Sequence, residues 1–366
     1  MYTLSFSSIP LTTTEKSCFR DHLFELGLDN TIWVVYEKFL LITYEYSRPL
    51  IIRVRKDNEI FACIFLIECR DYGPSISRLK IIKYIARKLP IRAYIWMKAG
   101  IASEICANPV FINRNVGSDL EIGEILHLLR KKVLLLIIHD LAGNASLHPA
   151  SIVMPYTDEG IIDTRRYTTI NDYLADHHNL KKKLKEYQKI GGRVDIIKGR
   201  LDEPVVKKIK ECVISTGERS VFKLPYQNDY PDMCAGSATI DNPNVIHFLC
   251  RSDEEFYGYH SFIVFKNQIR CLNGAFNRNL ATTYHAYENM IYSVVEYAVE
   301  NEILTVYFGP TLYETKKRMM NNFFPTQLYI SSKMPLLLKL FVPLLRRSRL
   351  NARELMEFSG IIMKSE

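Results

Sequence analysis

Along residues 256–331 the spacing of apolar positions switches between two and about 3.6, and each switch marks an element boundary. Tyr257–Lys266 and Ile269–Arg278 read as two strands around the turn Lys266-Asn267-Gln268. From Tyr284 to Glu302 apolar side chains recur every third or fourth residue, at Tyr287, Ile291, Val294, Val295, Ala298 and Val299, which predicts a helix. Ile303–Phe308 is a short apolar strand stopped by Gly309-Pro310. Thr311–Phe324 restarts a helix, and Thr326–Ser331 closes with a strand.

The first half follows similar logic. Thr31–Glu37 and Phe39–Tyr46 are rich in β-branched and aromatic residues and read as strands, as do Leu50–Lys56 and Glu59–Cys69. Lys56-Asp57-Asn58 is good hairpin chemistry between the last two. Ser77–Leu89 reads as a basic helix carrying Arg78, Lys80, Lys83, Arg87 and Lys88. Asp119–Lys131 reads as another, capped by Ser118 or Asp119, with Glu121 and Glu124 favourably placed in the first turn. Lys132–Leu141 follows as a buried strand.

A hairpin followed by strand and helix in alternation is the core order of the GNAT acyltransferase fold. Two segments sharpen the likeness. Phe308–Met319, FGPTLYETKKRM, resembles the "fGrg…YKrr" signature of the FemAB-like branch of that superfamily, with its BioF2-like acetyltransferase domains. Tyr173–Arg193, YLADHHNLKKKLKEYQKIGGR, resembles the basic helix that opens the branch's second half-domain. The similarity covers about Tyr167 to Ile330, and residues 1–166 share only the arrangement. FemAB-like proteins hold two GNAT-like half-domains in tandem. The resemblance therefore implies an α/β (α+β) chain of two such halves, each a mixed sheet flanked by helices. Residues 1–166 are the degenerate first half, 167–332 the second, and 333–366 a basic amphipathic tail. A boundary near Thr164–Asn171 carries no low-complexity linker, so the halves are expected to pack closely.

Composition adds bounds. A chain of 366 residues, 48% apolar and 24% charged, can bury two ordinary cores. Its eight cysteines form no CxxC pair and no Cys/His set with zinc spacing, so no metal is expected and reduced, buried thiols are. Met1–Glu15 lacks a basic start and a sustained apolar core, so no signal peptide is expected. Lys333–Leu350 is broken by Pro335, Lys339 and Pro343 and ends in arginines. It suits a helix on the body of the protein or at a membrane surface, not one that spans. The expected location is cytoplasmic, peripheral at the inner face of the membrane.

The net charge of +8 is concentrated: eight Lys/Arg lie between Asn179 and Arg200. Leu180, Leu184 and Tyr187 form an inward stripe, and the lysines take the remaining faces. A solvated face accounts for most such runs. The resemblance adds a second reading, because GNAT and FemAB-like enzymes bind donors that carry phosphates, which Lys181 and Lys185 would attract. CoA-dependent members cradle pyrophosphate with a glycine-rich loop at a helix start. Here that segment, GAFNRNLATTYHAYEN from Gly274, has no second glycine, so Asn277, Arg278 and Asn279 would supply donors instead.

Acyl transfer to an amine needs a base and a cradle for the developing oxyanion. The candidates are His260 and Asn273 on the hairpin, and His285 with Glu288, one helical turn apart. Each histidine taken singly is accounted for by structure alone, and Glu288 by helix-dipole electrostatics. The family signature places Tyr313 and Lys316 beside the cleft, where a cation suits a phosphate or carboxylate. The reading is an N-acyltransferase with no tightly bound cofactor. It moves an acyl group from acyl-CoA or an acyl carrier protein's phosphopantetheine to a small-molecule amine such as an amino sugar, amino acid or cell-envelope precursor. Two alternatives stay open: an aminoacyl-tRNA-dependent transferase of FemAB type, and a FemAB-like binding module without activity.

Overall fold

The computed structural model describes residues 2–41, 47–69, 93–96, 110–118, 121–141, 152–155, 159–218, 229–277, 280–281, 284–308, 313–324 and 326–334. The first sheet contains β1 (Tyr2–Ser7), β2 (Ser47–Lys56), β3 (Glu59–Cys69), β4 (Ala93–Trp96), β5 (Val110–Ile112), β6 (Leu135–Leu141) and β7 (Ile152–Pro155). The second contains β8 (Glu159–Asp163), β9 (Arg193–Lys198), β10 (Val245–Arg251), β11 (Phe256–Phe265), β12 (Gln268–Phe276), β13 (Thr305–Tyr307) and β14 (Asn322–Phe324). Both are mixed: β4–β6 and β12–β13 are parallel pairs among antiparallel ones. The helices are α1 (Thr13–Ser17), α2 (Arg20–Glu25), α3 (Thr31–Leu41), α4 (Ile122–Lys132), α5 (Ile170–Asp176), α6 (Leu180–Lys189), α7 (Glu203–Glu218), α8 (Tyr230–Ala238), α9 (Ala286–Glu300) and α10 (Tyr313–Met319). Among the described residues no helix is long and apolar enough to cross a membrane.

The sheets do not divide the chain at one point. The last strand, β15 (Thr326–Ser331), does not close the second half. It pairs with β6 and β7 in the first sheet. Conversely, β8 lies before the expected boundary but pairs with β13 and β14 in the second sheet. Each sheet thus holds a strand from the other side of residues 164–171. The hydrophobic pattern specifies that a strand is apolar, not which edge it joins.

The second core has three layers. On one face of the sheet, α7 and α8 bury Ile209, Cys212, Val213, Cys234 and Ala238 against Leu249, Tyr259 and Ala275. On the other, α5, α6 and α9 cover Ile246, Phe248, Phe262 and Ile269. The stripe on α6 behaves as its spacing requires, with Leu180 and Tyr187 buried and Leu184 packed at the edge. In the first half α4 packs Ile125, Leu126 and Leu129 on Ile52, Val54 and Ile64. Direct bonds join the halves: Ser47 Oγ donates to Asp229 at 2.7 Å in a buried site, and Asn244 Nδ2 donates to Thr31 Oγ1 at 3.1 Å.

Both hairpins form where the turns predict. Asp57 and Asn58 take left-handed φ values of 50° and 70°, the two-residue geometry that Asp and Asn tolerate. Thr31–Leu41 departs from its expected strand and is a helix. Its buried set, Ile32, Val35, Tyr36, Phe39 and Leu40, repeats at three and four, so spacing outweighs the β-favouring residue types. Tyr36 and Trp33 face Phe65 and Phe111 in an aromatic layer. The α4 helix starts at Ile122. No Ser118 side-chain cap forms there; instead Glu121 Oε1 accepts the Ser118 N–H at 3.2 Å. The expected helix Ser77–Leu89, residues 42–46, Asp119 and the tail beyond Met334 lie outside the described residues.

Candidate active-site cleft

The described second sheet holds one parallel pair. β12 and β13 register for three residues, ending at Arg270 and Tyr307. Beyond that the strands part. Cys271–Phe276 continues to pair with β11 alone, while Phe308 N–H turns to the Gly160 carbonyl on β8 at 2.9 Å. Lys316, from α10, is 1% exposed and donates from Nζ to the Phe308 carbonyl at 2.7 Å, just past the point of divergence.

A β-bulge sets what faces this opening. Ser261 pairs with Asn273 but Phe262 with Cys271, leaving Leu272 as the extra residue on β12. The bulge reverses the alternation, so Cys271 joins the layer under α9 while Asn273 and Ala275 belong to the face under α7 and α8. His260 and Asn273, expected to share a cleft, therefore point to opposite faces, because His260 pairs with Gly274 and Asn273 with Ser261. Asn273 is buried in a satisfied network: Tyr259 OH donates to its Oδ1 at 2.8 Å, and its Nδ2 donates to Ser237 Oγ at 2.6 Å.

His260 is a core residue. Its ring packs against Phe262, Phe276 and Tyr287, and Nδ1 lies 3.6 Å from Cys271 Sγ. Burial, then the charge of Lys316, pushes the imidazole down to about 3, so it is neutral at physiological pH. His247, on the opposite face, is pushed to about 4 by burial; Nδ1 meets Ser261 Oγ at 2.7 Å and Nε2 the Gly199 carbonyl at 2.8 Å.

The open space lies beside the α9 start. A cleft of about 570 Å³ is bounded by the turn from α5 to α6 (Asp176 to Leu180), by Lys182, Lys183 and Glu186 on α6, by His285 and Glu288, and by Arg318 and Met319 on α10. His285 stands at the α9 N-cap in the left-handed conformation, φ 56°, a backbone region uncommon for a side-chain-bearing residue. Its Nε2 is 3.3 Å from Glu186 Oε2, and Glu288 pairs with Lys183. The two predicted partners thus share the cleft but bind α6 rather than each other. Lys181 and Lys185 are exposed on the outer side of α6 and do not line the cleft. Lys316 does not line it either, and Arg278 and the Tyr313 side chain lie outside the described residues.

The lining that sequence reasoning missed is Lys183, Glu186, Asp176, His177 and Arg318. A signal existed for Lys183, which sits three residues after Leu180 and four before Tyr187, at the border of the inward stripe. None existed for Arg318, which only the docking of α10 brings there.

No protein-family model matches the sequence, and no match was found among curated proteins. Solved structures match over nearly the whole chain. L-PGS from Bacillus licheniformis superposes with a TM-score of 0.53 at 10% identity, covering 92% of this chain and 97% of that one. FemX superposes at 0.50 and 12% identity, covering 90% and 98%. A tandem GNAT protein from the clavulanic acid biosynthesis pathway does so at 0.50 and 12%, covering 91% and 99%. The chain has the fold of these tandem GNAT-type structures. At these identities the likeness speaks of the fold, with both sheets and their helices in place.

Proposed function

We propose that this protein is an N-acyltransferase that moves an acyl group from a phosphate-bearing thioester donor, acyl-CoA or an acyl carrier protein's phosphopantetheine, to an amine. The observation that carries the reading is the cleft at the α9 start, where His285, Glu288 and three Lys/Arg side chains converge. A concave site where a few polar and charged groups converge is the usual form of a small-molecule site. The amine nitrogen attacks the thioester carbonyl, the C–N bond forms, the C–S bond breaks and the thiolate leaves. His285 and Glu288 are placed to take the amine's proton. His260 is set aside as a base, because it does not line the cleft and its low proton affinity suits packing. Without a glycine cradle, cationic side chains take the phosphates: Lys182, Lys183 and Arg318 in the cleft, and Lys181 and Lys185 on its outer rim.

An aminoacyl-tRNA donor is the second reading. The observation favouring it is the exposed outer row Lys181, Lys185 and Lys189, which continues positive charge beyond the cleft. Mass spectrometry of species that co-purify with the full chain, followed by transfer assays with the donor found, decides between them. Recovery of a pantetheine or acyl thioester supports the first reading and tRNA the second. Neither, with no transfer from either donor class, sinks both.

A further inference from the structure

The cleft neutralises its own charge. Its lining carries three cationic side chains, Lys182, Lys183 and Arg318, and three carboxylates, Asp176, Glu186 and Glu288. A ligand bringing two or more negative charges therefore meets no surplus of fixed positive charge, and to reach Lys183 it must compete with a carboxylate. Lys183 pairs closely with Glu288 and so bridges α6 to the first turn of α9. Both side chains are largely withdrawn from water, 22% and 12% exposed. Glu186 is held more loosely, 3.3 Å from His285 Nε2 and 3.8 Å from Lys182, and is 42% exposed.

We propose that Lys183 is the anion-binding cation of this cleft and that Glu288 is its resident counter-ion, which yields this lysine to the donor's phosphate and is thereby released as the base. The proposal rests on the acyl-transfer reading and adds an order of events to it. Lys183 donates to Glu288 Oε1 in the structure. Once a phosphate oxygen takes Lys183, the carboxylate keeps its sheltered position but loses its partner, and its lone pairs are free for the amine. The amine's proton then passes to Glu288 as the C–N bond forms and the thiolate departs. Amine deprotonation is thus tied to a filled donor site.

The test needs no knowledge of the acyl group. Inorganic pyrophosphate is titrated calorimetrically into the full chain at low salt, for wild type, Glu288→Gln, Lys183→Gln and the double variant. Removing the competing charge should tighten pyrophosphate binding about threefold or more in Glu288→Gln, the scale of a partly exposed ion pair. Lys183→Gln should weaken it by a similar factor, and the gain from Glu288→Gln should vanish in the Lys183→Gln background. Glu288→Asp, which withdraws the carboxylate by one methylene, should fall between wild type and Glu288→Gln. Equal or weaker binding by both Glu288 variants, with Lys183→Gln still impaired, overturns the counter-ion role and leaves the donor site standing. Failure of all the proteins to bind pyrophosphate overturns both the proposal and the placement of donor phosphates in this cleft.

Discussion

The His260 imidazole lies against Gly274, its cross-strand partner, so closely that any side chain at 274 would overlap the ring. Phe262, Phe276 and Tyr287 box the ring on its remaining sides, so it cannot swing away. Gly274→Ala should therefore destabilise the second core by about 1–3 kcal/mol, the usual cost of overpacking. Adding His260→Ala should recover part of that loss although it is itself destabilising. Chemical denaturation of the two single variants and the double reads this directly. Additive losses would mean that the two residues do not share the space.

Acid should unfold the protein through its buried histidines. His260 and His247 are held at about 3 and about 4 in the fold, against about 6.5 in an unfolded chain. Below pH 6.5 the unfolded state binds protons that the folded state refuses, so stability falls as pH drops toward 4. Each histidine contributes a slope of up to about 1.4 kcal/mol per pH unit within its window. His260→Gln should flatten the stability profile between pH 6.5 and 4.5 relative to wild type. An unchanged profile would show that the ring is already protonated in the fold.

Lys316 is expected to matter for stability. Its stem passes within van der Waals reach of Gly160, and its ammonium holds the Phe308 carbonyl where β13 leaves β12. Lys316→Ala should lower the unfolding free energy by about 2–4 kcal/mol, through a cavity and a carbonyl left without its donor. Lys316→Met restores volume but not the bond and should recover only part. A fully stable Lys316→Ala protein would contradict this structural role.

The outer lysines should behave in the opposite way. Lys181, Lys182 and Lys185 are exposed and off the Leu180/Tyr187 stripe. Replacing all three by Glu should leave the thermal midpoint nearly unchanged while weakening pyrophosphate binding, most strongly at low salt where screening is least. Equal affinity at low salt would reduce them to a solvated face.

Much of the fold is legible in the residues because it is local. The turn at Asp57-Asn58, the period of Leu180 and Tyr187 and the long repeat from Tyr287 to Ala298 each act within a few residues of chain. Thr31–Leu41 shows the limit of residue type as a guide: its β-branched and aromatic side chains are those of a strand, and only their spacing marks a helix. His285 and Glu288 could be paired on paper because helical neighbours three apart share a face. Their actual partners, Glu186 and Lys183, are about a hundred residues away on α6.

By itself the sequence determined the hairpins, the long helix from Ala286 to Glu300, the tandem arrangement, the basic helix and the segment from His285 to Glu288 that meets the cleft, but not the types of Thr31–Leu41 or Asn322–Phe324. The tertiary structure decided which edge each strand joins, sending β15 to the first sheet and β8 to the second. It also decided that one bulged residue, Leu272, puts Asn273 and His260 on opposite faces. The physical reason is that period and propensity act along the chain. Strand exchange, bulges and ion pairs between helices are settled by packing between segments that no local rule connects.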